Sequence, residues 1–526
     1  MARGPKPAHE GGAGTVLYYE IANFQQGIDH RKDVMTAPAG TMRNLINCHI
    51  TPGGEIEKRT AFTAWASTYT TPSSSSSPGY LGLITKDNQI YIVHTTNTPG
   101  GTGGISAPDP GGTYPGVVTL EPPPGIYLTE VTSWDVFEGY FFISCLGWSP
   151  STGGYGVYSY YPDWAYVPQA EGRCYFCRTY KQKMYGLDGR YLYFSAVGDP
   201  TTWQDPPPDS SGIIAHNGSG FVSIGSNDSD SEYLVAMEVY YDKMAIFSRL
   251  GCQLWFLDPD PSLNQYYQTL RDSGTAAKNS VRQYVANDVY FLGVHGIRSL
   301  RARDLTTTAA VADVGSPLDP IIQNLLATRG AGGSYNDMGS MQTVLSPRTG
   351  RVWLTAYDRI YVLSNYAAPN ISAWSQYNPG FYIQKMGTVF ADPFVYIWAT
   401  NGTIYRFGSW TTPTYDSCPV QIDTPALSFD KPATYKFYQG LDAVCRSDTA
   451  GAWNVQMSFD PAQGDESTGT DPPYDQICQI DGPTTMGGRI PISGRGTHVQ
   501  VRMTHAAAGA ASFGKLIIHY ASGETG

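Results

Sequence analysis

The sequence predicts an all-β fold: a β-propeller of about six to eight blades with an additional β-sandwich or barrel domain formed by the chain ends. Three observations lead there. Aromatic residues make up 13% of the chain, with 38 Tyr and 11 Trp, while charged residues make up only 15%, against the ~25% of an average soluble chain. Gly (58) and Pro (37) recur throughout. Tyr, Trp and Val suit a pleated, half-buried surface, and Gly and Pro suit the turns between strands. The third observation is a loose repeat of an alternating apolar strand, a tight turn and a second strand that often ends in an aromatic residue.

The repeat runs from about 80 to 410. Its copies are Gly82–His94 with Asp87-Asn88 at the turn, Val131–Cys145 with Glu138-Gly139, and Met184–Ser195 with Asp188-Gly189. Glu232–Leu257, Arg282–Leu300, Met341–Leu363 and Thr388–Phe407 follow, the last with Asn401-Gly402. Asn-Gly and Asp-Gly supply the positive φ that tight hairpins need. About seven such units, spaced at roughly 40 to 60 residues, suit propeller blades of about four short antiparallel strands.

At 526 residues the chain exceeds the ~250–300 at which single cores stop growing, so two or three domains are expected. Residues 1–20 read as a flexible, Gly- and Pro-rich N-terminal arm, with organised sequence starting near Val16. Residues 21–79 read as strands leading into the propeller, 80–424 as the propeller, and 425–526 as the C-terminal β-sandwich. The tracts Thr71–Gly79, Thr96–Pro115 and Asp205–Asp209 read as surface loops. Ser316–Leu326 has helical spacing after a Ser cap, so one short helix is expected over 316–327. In the terminal domain, strands are expected at Ala433–Tyr438, Trp453–Phe459, Gly488–Ile492, His498–Thr504 and Lys515–Tyr520.

Charge and cysteine content narrow the function classes. A net charge of −11, with no run of Lys and Arg, argues against a protein that grips nucleic acid by neutralising phosphates. The N-terminus lacks a secretory signal and no stretch reaches the ~18 apolar residues of a membrane span. The chain therefore reads as soluble and made in the cytoplasm, without stable membrane insertion. Cys174-Tyr-Phe-Cys177 has the spacing of a zinc or redox half-site, but no second pair completes a metal set, and buried reduced thiols are the expected reading. Cys445 and Cys478 lie close enough in sequence to pair, which the sequence leaves open.

Catalytic signatures are sparse. There is no phosphate-binding Gly-x-x-x-x-Gly-Lys loop, no Gly-x-Ser-x-Gly elbow and no His-Glu-x-x-His helix. The acidic run Asp228-Ser-Asp230-Ser-Glu232 lacks the glycine and spaced glutamate of a calcium loop and reads as solvated. Ser346-Pro-Arg-Thr-Gly-Arg-Val-Trp353 resembles the Asp-box hairpin of sialidase-like propellers, with Arg348 where that motif has aspartate. There the motif stabilises a turn, so it implies a hairpin and not a glycosidase. No catalytic, cofactor-binding or metal residue is nominated, and no cofactor is expected.

The N-terminal run Asn23-Phe-Gln-Gln-Gly-Ile-Asp29 continues through Pro38-Ala-Gly40 and Arg43-Asn-Leu-Ile-Asn47 to Gly53-Gly-Glu-Ile-Glu-Lys-Arg59. It resembles the opening of tail-nozzle proteins (tail tubular protein B type) of short-tailed bacteriophages, with a single Gly27 and with Thr60 where that family often has Pro. Arg190–Ser195 followed by Gly198-Asp-Pro-Thr-Thr-Trp203, Lys243–Ser248 with Trp255, Gly274-Thr-Ala-Ala, Val289–Leu292 with Gly296-Ile297, and Asp313-Val-Gly-Ser-Pro317 follow in the family's order. The resemblance covers roughly residues 20 to 410. It implies a non-enzymatic virion protein forming a homo-oligomeric ring, a hexamer, below portal-adaptor proteins, with DNA passing through the lumen and tail fibres or spikes outside. An acidic lumen would let the duplex slide without adhering. The alternatives are a propeller glycosidase or depolymerase, and a glycan-binding propeller using exposed Tyr and Trp as stacking platforms.

Overall fold

Among the described residues seven groups of three to five antiparallel strands follow one another along the chain, and the first strand of each packs against the first strand of the next. In the computed structural model the described residues lie within 16–523, excluding 67–78, 87–88, 96–102, 107–117, 121–126, 149–153, 161–163, 167–172, 204–211, 215–217, 225–232, 285–287, 306–312, 331–340, 347, 367–369, 390–391, 449–450, 461–475 and 482–489. The innermost strands are Gly79–Lys86, Tyr127–Phe137, Phe176–Tyr180, Leu234–Tyr240, Arg282–Tyr284, Thr343–Leu345 and Ile383–Thr388. Each contacts its successor, and Ile383–Thr388 returns to contact Gly79–Lys86. The circle is closed by packing between open sheets, which is the geometry of a β-propeller.

Blade two shows the local logic. Tyr127–Phe137 pairs antiparallel with Tyr140–Trp148, and Phe137 faces Tyr140 across a two-residue turn. Both turn residues, Glu138 and Gly139, have positive φ (43° and 86°), the sign of turn whose twist matches that of the flanking strands. At the seam between blades seven and one, a Cβ on Gly387 would lie 2.2 Å from Leu83 Cδ2. Any larger residue would have to push the Leu83 side chain aside.

Blade seven is completed from outside the run. Its strands Ile383–Thr388, Val395–Ala399 and Ile404–Phe407 are joined by Phe62–Ala66, which precedes blade one in sequence and pairs antiparallel with Ile404–Phe407. Phe62 packs against Phe407, Phe381 and Trp353, with ring centroids 5.1, 5.9 and 6.4 Å away. The last blade is thus stitched to the chain segment that leads into the first.

Blade six is continuous with a second body. Its sheet, Thr343–Leu345, Val352–Ala356, Arg359–Tyr366 and Ile371–Tyr377, continues through Asn44–Ile46 into Val420–Asp423, Val499–His505, Ala452–Phe459 and Gln476–Asp481. A further sheet holds Cys48–Ile50, Ile56–Lys58, Ala511–Ser522, Lys436–Ser447 and Ile490–Gly496, with Val16–Ile21 paired to Ala511–Ser522. Val455, Met457, Val499, Val501 and Met503 of the first sheet share one apolar core with Tyr438, Leu441, Phe513, Leu516 and Ile518 of the second.

Several expectations are modified. A strand, Gly103–Ser106, lies inside the tract expected as loop, because its backbone completes the ladder beside Gln89–Thr95 despite its glycines. Val16–Ile21 is a strand and not part of a flexible arm, since Leu17, Tyr19 and Ile21 alternate into the core. The helix expected over 316–327 is a 3-10 turn, Ser316–Leu318, followed by an α-helix, Asp319–Gly330. A second short helix, Leu300–Leu305, follows the three-stranded blade five. The tracts 71–78 and 205–209 lie outside the described residues, as does most of 96–115. Among the described residues no helix is long and apolar enough to cross a membrane.

Replacing Phe62 by Ala is expected to lower stability by roughly 2–3 kcal/mol, below the 3–5 of a fully buried Phe because this ring is half-buried. Denaturant unfolding of the variant against wild type measures it, and an unchanged midpoint would mean that the stitch does not hold the ring shut.

Candidate functional site

A pocket of about 50 Å³ opens at the propeller axis, lined by Leu83, Thr132, Phe176, Arg178 and Arg282 of innermost strands and by Lys278. Charged side chains from five blades gather in and around it. Blade two supplies Glu130 and Asp135, blade three Arg178, and blade four Glu238. Arg282 lies on blade five, Lys278 on the 3-10 turn before it, and Lys385 on blade seven. Gln342 donates to the Gln384 carbonyl at 2.8 Å and accepts from the Met386 N–H at 2.9 Å, tying blade six to blade seven.

The charges interlock. Lys278 and Lys385 each place Nζ 3.3 Å from the same Glu130 oxygen. Arg178 pairs with Glu238 and lies 3.9 Å from Asp135. Asp135 also accepts from the backbone N–H groups of Thr179 (2.6 Å) and Val136 (2.9 Å). Burial works against the Glu130 carboxylate, but Lys385 and Lys278 outweigh it and hold its pKa below the ordinary value. At Asp135 burial wins over Arg178 and the two N–H groups, and the pKa is raised. Burial pulls both lysines and Arg282 down, whereas Glu238 and Asp135 more than offset it at Arg178.

A second constellation joins the two bodies. Asn47 sits between Asn44–Ile46 and Cys48–Ile50 with φ 57°, and the left-handed kink passes the chain from one sheet to the other. Its Oδ1 accepts from Arg59 Nε (2.9 Å) and the Asn378 N–H (2.8 Å), and its Nδ2 donates to the Pro419 carbonyl (2.8 Å). The buried Arg59 guanidinium also reaches Asp416 at 3.0 Å and lies over the Phe62 ring. Lys58 donates to the carbonyls of Asp416 (2.7 Å) and Ala507 (2.6 Å). Beside them, buried His49 contacts the Tyr377 hydroxyl (2.9 Å) and Glu57 (3.5 Å). Burial, helped by Arg351, lowers its pKa to about 4.

The residues singled out in sequence fall into place as structure. Asn47, Lys58 and Arg59 form the joint just described, and Ile28 donates to the Trp374 carbonyl of blade six (2.9 Å). In Gly198–Trp203, Asp199 caps the turn through Thr201 and Thr202, and Trp203 is buried between blades two and three. Asp313 accepts from the Ser299 N–H at 3.0 Å, and the Val314 carbonyl accepts from Trp374 Nε1 at 2.7 Å. Ser346–Trp353 is a hairpin turn, with Gly350 N–H donating to the Ser346 carbonyl (3.0 Å) and Trp353 in the core. Cys174 and Cys177 are buried thiols beside Trp203, with burial pushing Cys177 up to about 11, and no disulfide joins Cys445 to Cys478. Asp228, Asp230 and Glu232 lie outside the described residues.

The axial residues were missed by the sequence reading because they span blades two to seven and form no motif. Their one signal is a charge set in the apolar first strand of a repeat unit, as in Met237-Glu238-Val239 and Gln384-Lys385-Met386.

No family model matches this chain, and no curated protein matches it. Among solved structures it is similar to the Neurospora crassa Pan2 WD40 domain, at 9% identity and a TM-score of 0.39, covering 69% of this chain and 98% of that one. It is likewise similar to the Myceliophteria thermophila Cps50 (Swd1) β-propeller domain, at 8% and 0.37, covering 69% and 99%. A chain of a Mitotic Checkpoint Complex structure gives 11% and 0.35, covering 65% and 98%. Identities and scores this low say nothing of function, and the propeller description stands on the sheet topology.

Two outcomes test the joint. Arg59→Gln leaves Asn47, Asp416 and the Asn378 carbonyl short of a donor and is expected to cost roughly 2–4 kcal/mol in denaturant unfolding, by the loss of a buried charged partner. His49 takes up its proton at about 4 when folded and near 6.5 when unfolded, so the unfolded state binds more protons between those values. Stability should therefore fall as pH drops from about 6.5 towards about 4, and the wild-type urea midpoint should fall more steeply than that of His49→Gln.

Proposed function

We propose that this chain is a non-catalytic structural virion protein, a tail-nozzle subunit of a short-tailed bacteriophage, assembling into a ring through which DNA is ejected. The observation that carries the reading is an apolar patch on the six-stranded sheet of the terminal body. Val16, Tyr18, Tyr435 and Phe437 are all exposed there, and Val16 and Phe437 flank the same residue, Ala521, on neighbouring strands. A clustered aromatic surface of this kind marks a contact with another chain. A second copy is its occupant in this reading, with the two terminal sheets acting as a β-sandwich that builds the ring.

The ordered run of nozzle-like motifs supports the same assignment, as does the net charge of −11, which would keep a passing duplex from adhering. The propeller axis is spanned by ion pairs, so in this reading DNA passes between copies and not through the blades. Portal-adaptor proteins above, fibres or spikes outside, six copies and a place in the virion tail, after synthesis in the host cytoplasm, belong to the same proposal. A second reading, a glycan-binding or glycan-cleaving propeller, draws on the axial pocket. Against cleavage, the carboxylates beside it, Glu130, Asp135 and Glu238, do not line it and are each held by cations or backbone donors, whereas a glycosidase needs a pair facing the sugar.

Negative-stain imaging of the purified chain, alone and with its portal and adaptor, is expected to give closed rings with an open axis. Phe437→Glu should leave the monomer folded and abolish the rings. Isolated wild-type monomers in both samples would favour the glycan reading instead.

A further inference from the structure

We propose that the axial pocket is a binding site for a small oxyanion, a phosphate or carboxylate group entering along the propeller axis. Four cations line it, Arg178, Arg282, Lys278 and Lys385, and three carboxylates, Glu130, Asp135 and Glu238, stand beside them outside the lining. The carboxylates are already committed. Glu130 is shared by the two lysines, Glu238 takes Arg178, and both Asp135 oxygens accept backbone N–H groups.

Two donors on the cationic side are left over. Arg178 Nε is buried without a hydrogen-bond partner. The Arg282 guanidinium, half-buried on the innermost strand of blade five, makes no ion pair or side-chain hydrogen bond among the described residues; Arg178 repels it, and Glu238 and Asp135 attract it from beyond ion-pair distance. Both arginines line the pocket. A buried donor left unmet costs about 1–3 kcal/mol, and more when charged. A planar or tetrahedral oxyanion meets the rigid guanidinium fork with two oxygens. A cavity of about 50 Å³ exceeds the ~10–15 Å³ that one water needs, so a small oxyanion group has room.

A purely structural plug would differ in its composition. Its cations and carboxylates would balance, whereas here four cations meet three carboxylates. The inference stands on the pocket alone and does not depend on the ring.

Calorimetric titration of the full chain tests it, with inorganic phosphate and galacturonate as separate probes at constant ionic strength in chloride. Saturable binding of at least one is expected. Arg282→Gln should weaken it tenfold or more, while Arg359→Gln, an exposed control, should not change it. Stronger binding of phosphate would assign the site to phosphate-bearing ligands, and stronger binding of galacturonate to acidic glycans. Absence of saturable binding by both, or equal binding by wild type and Arg282→Gln, would overturn the proposal. Should Arg282→Gln fail to fold, wild-type crystals soaked in tungstate decide the matter: density between Arg178 and Arg282 supports the site, and an empty pocket refutes it.

Discussion

A ring of open sheets is only as stable as the seam between its last and first blades. Every other blade is followed in sequence by its neighbour, but blade seven and blade one sit at opposite ends of the repeat. The chain resolves this by lending blade seven the strand Phe62–Ala66 before blade one begins. Arg59 stands just before that strand, stacks on Phe62 and binds Asn47, Asn378 and Asp416. The same few residues therefore close the ring and anchor the terminal body. Their position explains why so many buried polar groups gather here: four chain segments meet where no single ladder satisfies all their backbone groups, and side chains with several donors fill the gaps.

Closure in turn defines the axis. Once seven innermost strands point at a common centre, charges that would be isolated on separate sheets come within range of one another. Burial makes each of them costly alone, and pairing across blades offsets most of that cost. The balance is incomplete at Arg178 Nε and Arg282. Apolar seams such as Leu83 against Gly387 hold the ring as well and offset the cost of that imbalance.

Much of the propeller was legible from short-range pattern. Glu138-Gly139 and Asn401-Gly402 mark hairpins because the φ such turns require is a local property of the residues in them. Ser316–Leu326 announced a helix through its spacing, but Ser316 is not the cap: the first turn tightened into a 3-10 form that starts after Gly315, with no side-chain cap. Gly103–Ser106 misled because its glycines favour a loop, and only the neighbouring strand makes it extended. The motif residues from Asn23 to Arg59 stood out as a run, but their role as a joint was invisible, since their partners lie more than 300 residues away.

The sequence by itself determined an all-β chain with a repeated hairpin unit, because alternation and turn chemistry act over a few residues. Tertiary structure alone decided which strand closes blade seven, that blade six runs on into the terminal sheet, and which charges meet at the axis. Those are pairings between segments far apart in the chain, and any extended segment carries the same backbone donors and acceptors. The choice among them is made by packing of the whole ring, which no window of sequence contains.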